Sequence, residues 1–114
     1  MRTEFEKNMK ISSEMLSFCH LHGAREFHLD LVEVNDEVQF TITASPFSID
    51  EKEMNKILKR LQAPRRREME QNYWGLGGRS EITSELHLIG MMVDDVSITQ
   101  NDDVIIIHLI RKNE

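Results

Sequence analysis

Residues 27–61 hold two alternating apolar runs, an unusual connection and an amphipathic helix pattern, and this stretch constrains the fold more than any other. Phe27, Leu29 and Leu31 recur with a period of two, and after Asn35-Asp36-Glu37 the same period returns in Val38, Phe40, Ile42 and Ala44. Successive side chains of an extended chain point to opposite faces, so the pattern predicts a hairpin with one buried face. His28 and Asp30 fall on the other face with Gln39, Thr41 and Thr43, as in an antiparallel sheet covered on one side only. Ser48 and Glu51 then have capping-box spacing. Met54, Ile57, Leu58 and Leu61 follow at helical intervals, with Pro64 as the stop.

The flanking segments extend this plan. Residues 3–22 predict a first helix whose apolar stripe includes Phe5, Met9, Met15, Leu16 and Cys19, with Gly23 placed to end it and Ser12-Ser13 able to kink or restart it. The short link to the hairpin folds this helix back over the sheet. After a charged run comes Tyr73-Trp74-Gly75-Leu76-Gly77-Gly78, then a third helix capped by Ser80, with Ile82, Leu86, Ile89 and Val93 on one face. Residues 96–100 and 104–110 read as two closing strands joined by Asn101-Asp102-Asp103, and Val104-Ile105-Ile106-Ile107 is apolar on both faces, as a central strand should be. The order predicts an α+β domain over residues 1–114: a two-layer α/β sandwich, with about four mostly antiparallel strands and about three helices on one face.

Composition narrows the function classes. A chain of 114 residues suits one core and at most one site, and a net charge of −6 argues against a nucleic-acid binder, which needs a basic face to displace counterions. No apolar run approaches the roughly 20 residues that span a bilayer, so no membrane association is expected. The charged Met1-Arg2-Thr3-Glu4 start and the single cysteine predict a reducing, cytoplasmic setting.

Few residues suggest catalysis directly. Of the five histidines only His20 and His22 are close, and two positions apart on a helix they do not share a face; no metal site is expected. Cys19 reads as a small core hydrophobe. Arg65-Arg66-Arg67 reads as solvated, because Glu68 and Glu70 follow at once. Tyr73 and Trp74 either anchor a partner beside the glycines or fold down onto the sheet.

Glu14-Met15-Leu16-Ser17-Phe18-Cys19-His20-Leu21-His22-Gly23 resembles the N-box helix of the Bergerat, or GHKL, ATP-binding fold shared by histidine kinases, anti-sigma-factor kinases and gyrase. Gly75-Leu76-Gly77-Gly78 with Arg79 is similar to that family's glycine box. The resemblance covers most of the chain, and implies a remnant ligand pocket lined by Glu14, Phe18, His22, Ala44, Pro46, Phe47, Trp74, Gly75, Gly77 and Arg79. Two family contacts are missing. Phe18 stands where relatives place the magnesium-holding asparagine and offers no oxygen to a hard cation. Ala44-Ser45-Pro46-Phe47-Ser48 stands where relatives have an Asp-x-Gly-x-Gly box: Ala44 cannot accept from the adenine amino group, Pro46 and Ser48 replace glycines, and Phe47 has the bulk to occupy the adenine space. The resemblance therefore implies a degenerate domain with no catalytic residues and no cofactor, acting through a protein partner in bacterial signalling or transcription control, with homodimerisation common among relatives. The alternative is a domain that still holds ATP, ADP or another small anion, since a glycine loop before a helix N-terminus attracts anions.

Overall fold

The computed structural model describes residues 3–62, 65, 86 and 89–112. Their elements run α1 (Glu4–Leu21), β1 (Glu26–Val34), β2 (Glu37–Ser45), α2 (Glu51–Leu61), β3 (Asp95–Asn101) and β4 (Val104–Lys112). The four strands form one antiparallel sheet in the order β1-β2-β4-β3. Both hairpins close through two residues whose first member, Asn35 or Asp102, has positive φ. That geometry matches the right-handed twist of paired strands. Glu37 and Asn101, expected in the turns, are strand residues instead.

Register explains which apolar residues are deepest. Leu31, Phe40, Leu109 and Val96 align across the sheet, as do Leu29, Ile42, Ile107 and Ile98. The central members of these rows are fully buried, whereas Leu29 and Leu31 are only half-buried because β1 is an edge. Burying each central side chain contributes roughly 1.5–3 kcal/mol. The opposite face carries Asp30, Thr41, His108 and Ser97 in one row, and Thr41 and His108 share a 3.1 Å hydrogen bond.

Helix α1 starts at a capping box: Thr3 Oγ1 accepts the Glu6 N–H at 3.1 Å, and the Glu6 carboxylate accepts the Thr3 N–H at 3.0 Å. It ends at His22, and Gly23 follows at φ +104°, a conformation glycine adopts without strain. The helix runs as one element through Ser12, whose hydroxyl donates back to the Asn8 carbonyl at 3.0 Å, so it does not restart there. Its buried stripe also differs from the expected one. Ile11, Met15, Phe18 and Cys19 face inward with Lys7, Asn8 and Ser12, while Phe5 and Met9 are exposed. The inward line follows i, i+4, i+7 from Ile11, and Phe5, Met9 and Leu16 lie on the neighbouring line.

Helix α2 begins later than the Ser48 cap implied. Asp50 is its N-cap, with a side-chain oxygen accepting the Glu53 N–H at 2.8 Å, and Ser48 stays outside, exposed. Asp50 and Glu53 repeat the Ser48–Glu51 spacing, and this pair leaves Ile49 free to pack against the core. Pro64, Ser80 and Ile82 lie outside the described residues, so the described chain holds two helices rather than the three expected. Leu86 and residues 89–90 are helical, and Leu86, Ile89 and Val93 are buried in the core cluster. At Gly90 a Cβ would collide with the Arg60 carbonyl at the end of α2, so only glycine permits this approach.

Candidate functional site

The residues that the resemblance assigns to a ligand pocket divide into two groups. Glu14, Phe18, His22, Ala44, Pro46 and Phe47 are described, and Trp74, Gly75, Gly77 and Arg79 lie outside the described residues. Within the first group the last turns of α1 meet the connection from β2 to α2. Phe18, Ala44 and Phe47 are each 1% exposed. The Phe18 and Phe47 rings lie 6.0 Å apart, and His22 bridges them, tilted against Phe18 at 4.5 Å and stacked on Phe47 at 5.4 Å. Such offset and tilted contacts between ring faces and edges are favourable beyond the area they bury.

Local hydrogen bonds hold this arrangement. His22 Nδ1 lies 3.1 Å from the Phe18 carbonyl, which accepts when that nitrogen carries the proton. The Phe47 N–H donates to the Asp103 carbonyl in the β3–β4 turn at 2.7 Å, and the Arg25 N–H donates to Ser45 at 2.9 Å. Ser45-Pro46 is a cis peptide, with Pro46 at the surface and Phe47 turned inward. The connection therefore places an aromatic ring, with no side-chain acceptor, between helix and sheet.

Glu14 stands apart from the ring cluster. Its carboxylate pairs with Lys10 one turn back at 2.8 Å, with the Glu14 side chain only 12% exposed. Cys19 is fully buried, and burial pushes its thiol up to about 12, which keeps it protonated and unreactive at neutral pH. Among the described residues no group of three histidine, cysteine or acidic side chains gathers into a metal site, and no helix is long and apolar enough to cross a membrane.

Two arginines carry structural weight that the sequence reading did not assign them. Arg111 is fully buried on the core face of β4, where Nη2 donates to Glu4 at 2.7 Å and Nη1 to the Met92 carbonyl at 2.6 Å. Burial alone would raise the Glu4 pKa, but the hydrogen bond and charge of Arg111, joined by Lys7, hold it below the usual carboxylate value. The signal was present in the period of two: Ile105, Ile107 and Leu109 lead to Arg111 on the same face. Arg65, read as solvated, donates from Nη1 to Asp94 at 2.6 Å and to the Lys112 carbonyl at 2.7 Å, with its side chain only 8% exposed. Asp94 also accepts the Lys112 N–H at 2.7 Å, so this carboxylate clamps the end of β4.

No protein-family model matches the chain, and no curated protein does either.

Proposed function

We propose that this chain is a degenerate GHKL-like domain of the histidine-kinase and anti-sigma-factor branch, which has exchanged ATP turnover for a regulatory role. In this reading it is a protein-binding module of bacterial signalling or transcription control. The observation that carries the reading is the packing of Phe18, His22 and Phe47 with Ala44. The resemblance assigns the positions of Phe18 and Ala44 to the magnesium and adenine contacts, yet both side chains are apolar and buried in the core. A hard cation requires oxygen ligands, and Phe18 supplies none. Adenine recognition requires a buried polar partner, and Ala44 supplies none.

Isothermal titration with ATP and ADP, each with and without magnesium, tests the loss of the nucleotide. The expected result is no heat at millimolar nucleotide, and tight magnesium-dependent binding overturns the reading in favour of nucleotide held at the glycine loop. The regulatory role is tested by affinity capture from the source cell with the wild-type chain and Trp74→Ala, followed by titration of each captured protein in purified form. A saturable one-to-one complex supports the role, and failure of every purified candidate to bind overturns it.

A further inference from the structure

Strand β1 spans nine residues at one end of the described sheet and pairs with β2 without interruption, from Glu26 opposite Ser45 to Val34 opposite Glu37. All of its residues except Leu29 and Leu31 are exposed. Val34 and Glu37 flank a two-residue turn and form a hydrogen-bonded pair, so the even-numbered residues of β1 bond to β2. The N–H and C=O groups of Phe27, Leu29, Leu31 and Glu33 point the other way, outward along the edge. Strand edges in folded proteins are commonly blunted by lysine, proline or a bulge, and β1 has none of the three.

The two faces of this edge differ in chemistry. Toward α1, Phe27 joins Leu16, Ser17, His20 and Leu21 in an open groove, and Leu29 and Leu31 continue its apolar line along the strand. Away from α1 stand Glu26, His28 and Asp30, followed by Val32 and Val34. Glu26 pairs with His28 at 3.0 Å, which leaves Asp30 as the carboxylate on that face without a cation among the described residues. Glu33, near the far end of the strand, and Asp36, in its turn, add two more exposed negative charges. Like charges on neighbouring strands are destabilising and opposite charges favourable. The edge therefore repels an acidic strand, a second β1 included, and favours a basic one.

We propose that β1 receives an extended segment of a partner protein, added antiparallel as a further strand, in which lysine or arginine alternates with apolar residues. Main-chain bonds to the outward groups of β1 supply the binding. The apolar side chains enter the groove beside Phe27 and Leu21, and the basic ones lie beside Asp30 on the other face. Antiparallel pairing extends the pattern of the sheet and is the more stable of the two orientations. In that orientation directly opposite residues share a face, so the apolar residues of the segment are the ones whose N–H and C=O groups bond to β1. The inference rests on the protein-binding role proposed above, and names its surface and the chemistry of its partner.

Isothermal titration of the full chain with a short capped peptide of alternating lysine and valine should show saturable binding below about 1 mM. A peptide of alternating glutamate and valine should not bind. N-methylation at the valines removes the donors that face β1 and should abolish binding, whereas N-methylation at the lysines, whose N–H groups face away, should leave it. Asp30→Lys should weaken the lysine peptide about fivefold, and Asp95→Lys on β3 by no more than about twofold. Both aspartates are exposed, and circular dichroism checks that the variants fold. Absence of saturable binding at that concentration, equal binding by the two methylated peptides, equal loss at Asp30 and Asp95, or a stable dimer of the chain alone overturns the proposal. A purified partner whose binding is untouched by Asp30→Lys overturns this surface while leaving the protein-binding role intact.

Discussion

Helix α1 meets two different surroundings within a few turns. On its inward side Phe18 and His22 close against Phe47, and the interior is sealed by aromatic rings and by the Phe47 hydrogen bond to the β3–β4 turn. On the adjoining flank Phe5 and Met9 are 58% and 43% exposed. Residues of similar hydropathy thus serve opposite ends. Inside, they pack into the core. Outside, they leave apolar area in solvent. The difference teaches that apolar content says little about role until the neighbouring element is known.

The largest expected effect falls on the sealed side. Phe47→Ala removes a buried ring touching both Phe18 and His22, and should cost about 3–5 kcal/mol in urea unfolding. A loss below about 1 kcal/mol would mean that the connection collapses easily and that the contrast between the two sides is slight. Arg111→Ala comes next, at about 2–4 kcal/mol, because it leaves the Met92 carbonyl without this donor and opens space beneath the first turn of α1. Arg111→Met keeps most of the stem volume and should lose less in the same measurement.

A smaller effect is expected at the outer end of that contact. The Glu4 carboxyl is held below its ordinary value of 4.5 by Arg111 and Lys7, against the opposing pull of burial. Its unfolded form therefore takes up a proton more readily than its folded form. The stabilisation is fully present at neutral pH and is lost as pH falls below 4.5 through the depressed value. Glu4→Gln should flatten that part of the stability–pH profile and leave the remaining carboxylate contributions in place. The smallest effect belongs to the open flank: Phe5→Ala should change monomer unfolding by no more than about 0.5 kcal/mol. A substantially larger loss would show that Phe5 supports the fold itself and that the flank is not free surface.

The hairpin from Phe27 to Ala44, the strand pair around Asp102 and the α2 helix were legible because each follows from a local rule. Period two marks strands, helical spacing marks α2, and a two-residue polar turn joins strands. Local rules were weaker at element ends. Two capping pairs with the same spacing compete before α2, and the Asp50–Glu53 pair is the one used. For α1 the sequence holds two adjacent apolar lines, through Phe5, Met9 and Leu16 and through Ile11, Met15 and Phe18. Nothing in the helix itself says which line meets the sheet.

The same limit applies to the candidate site. That Phe18, Ala44 and Phe47 depart from a nucleotide-binding pattern could be read residue by residue. That Phe18, His22 and Phe47 stack on one another depends on where the end of α1 meets the β2–α2 connection, about 25 residues away along the chain, a separation over which side-chain periodicity carries no information. Arg65 shows this limit in its strongest form, since a guanidinium reads as surface unless a carboxylate and a carbonyl elsewhere in the chain are brought to it. The sequence by itself therefore determined the strands, the turns and the absence of polar ligands at Phe18 and Ala44, because these depend on residue type and spacing. Only the tertiary structure decided which side of α1 is sealed, which strands lie at the ends of the described sheet and which groups the arginines meet. Those outcomes depend on which distant groups share a boundary with each residue.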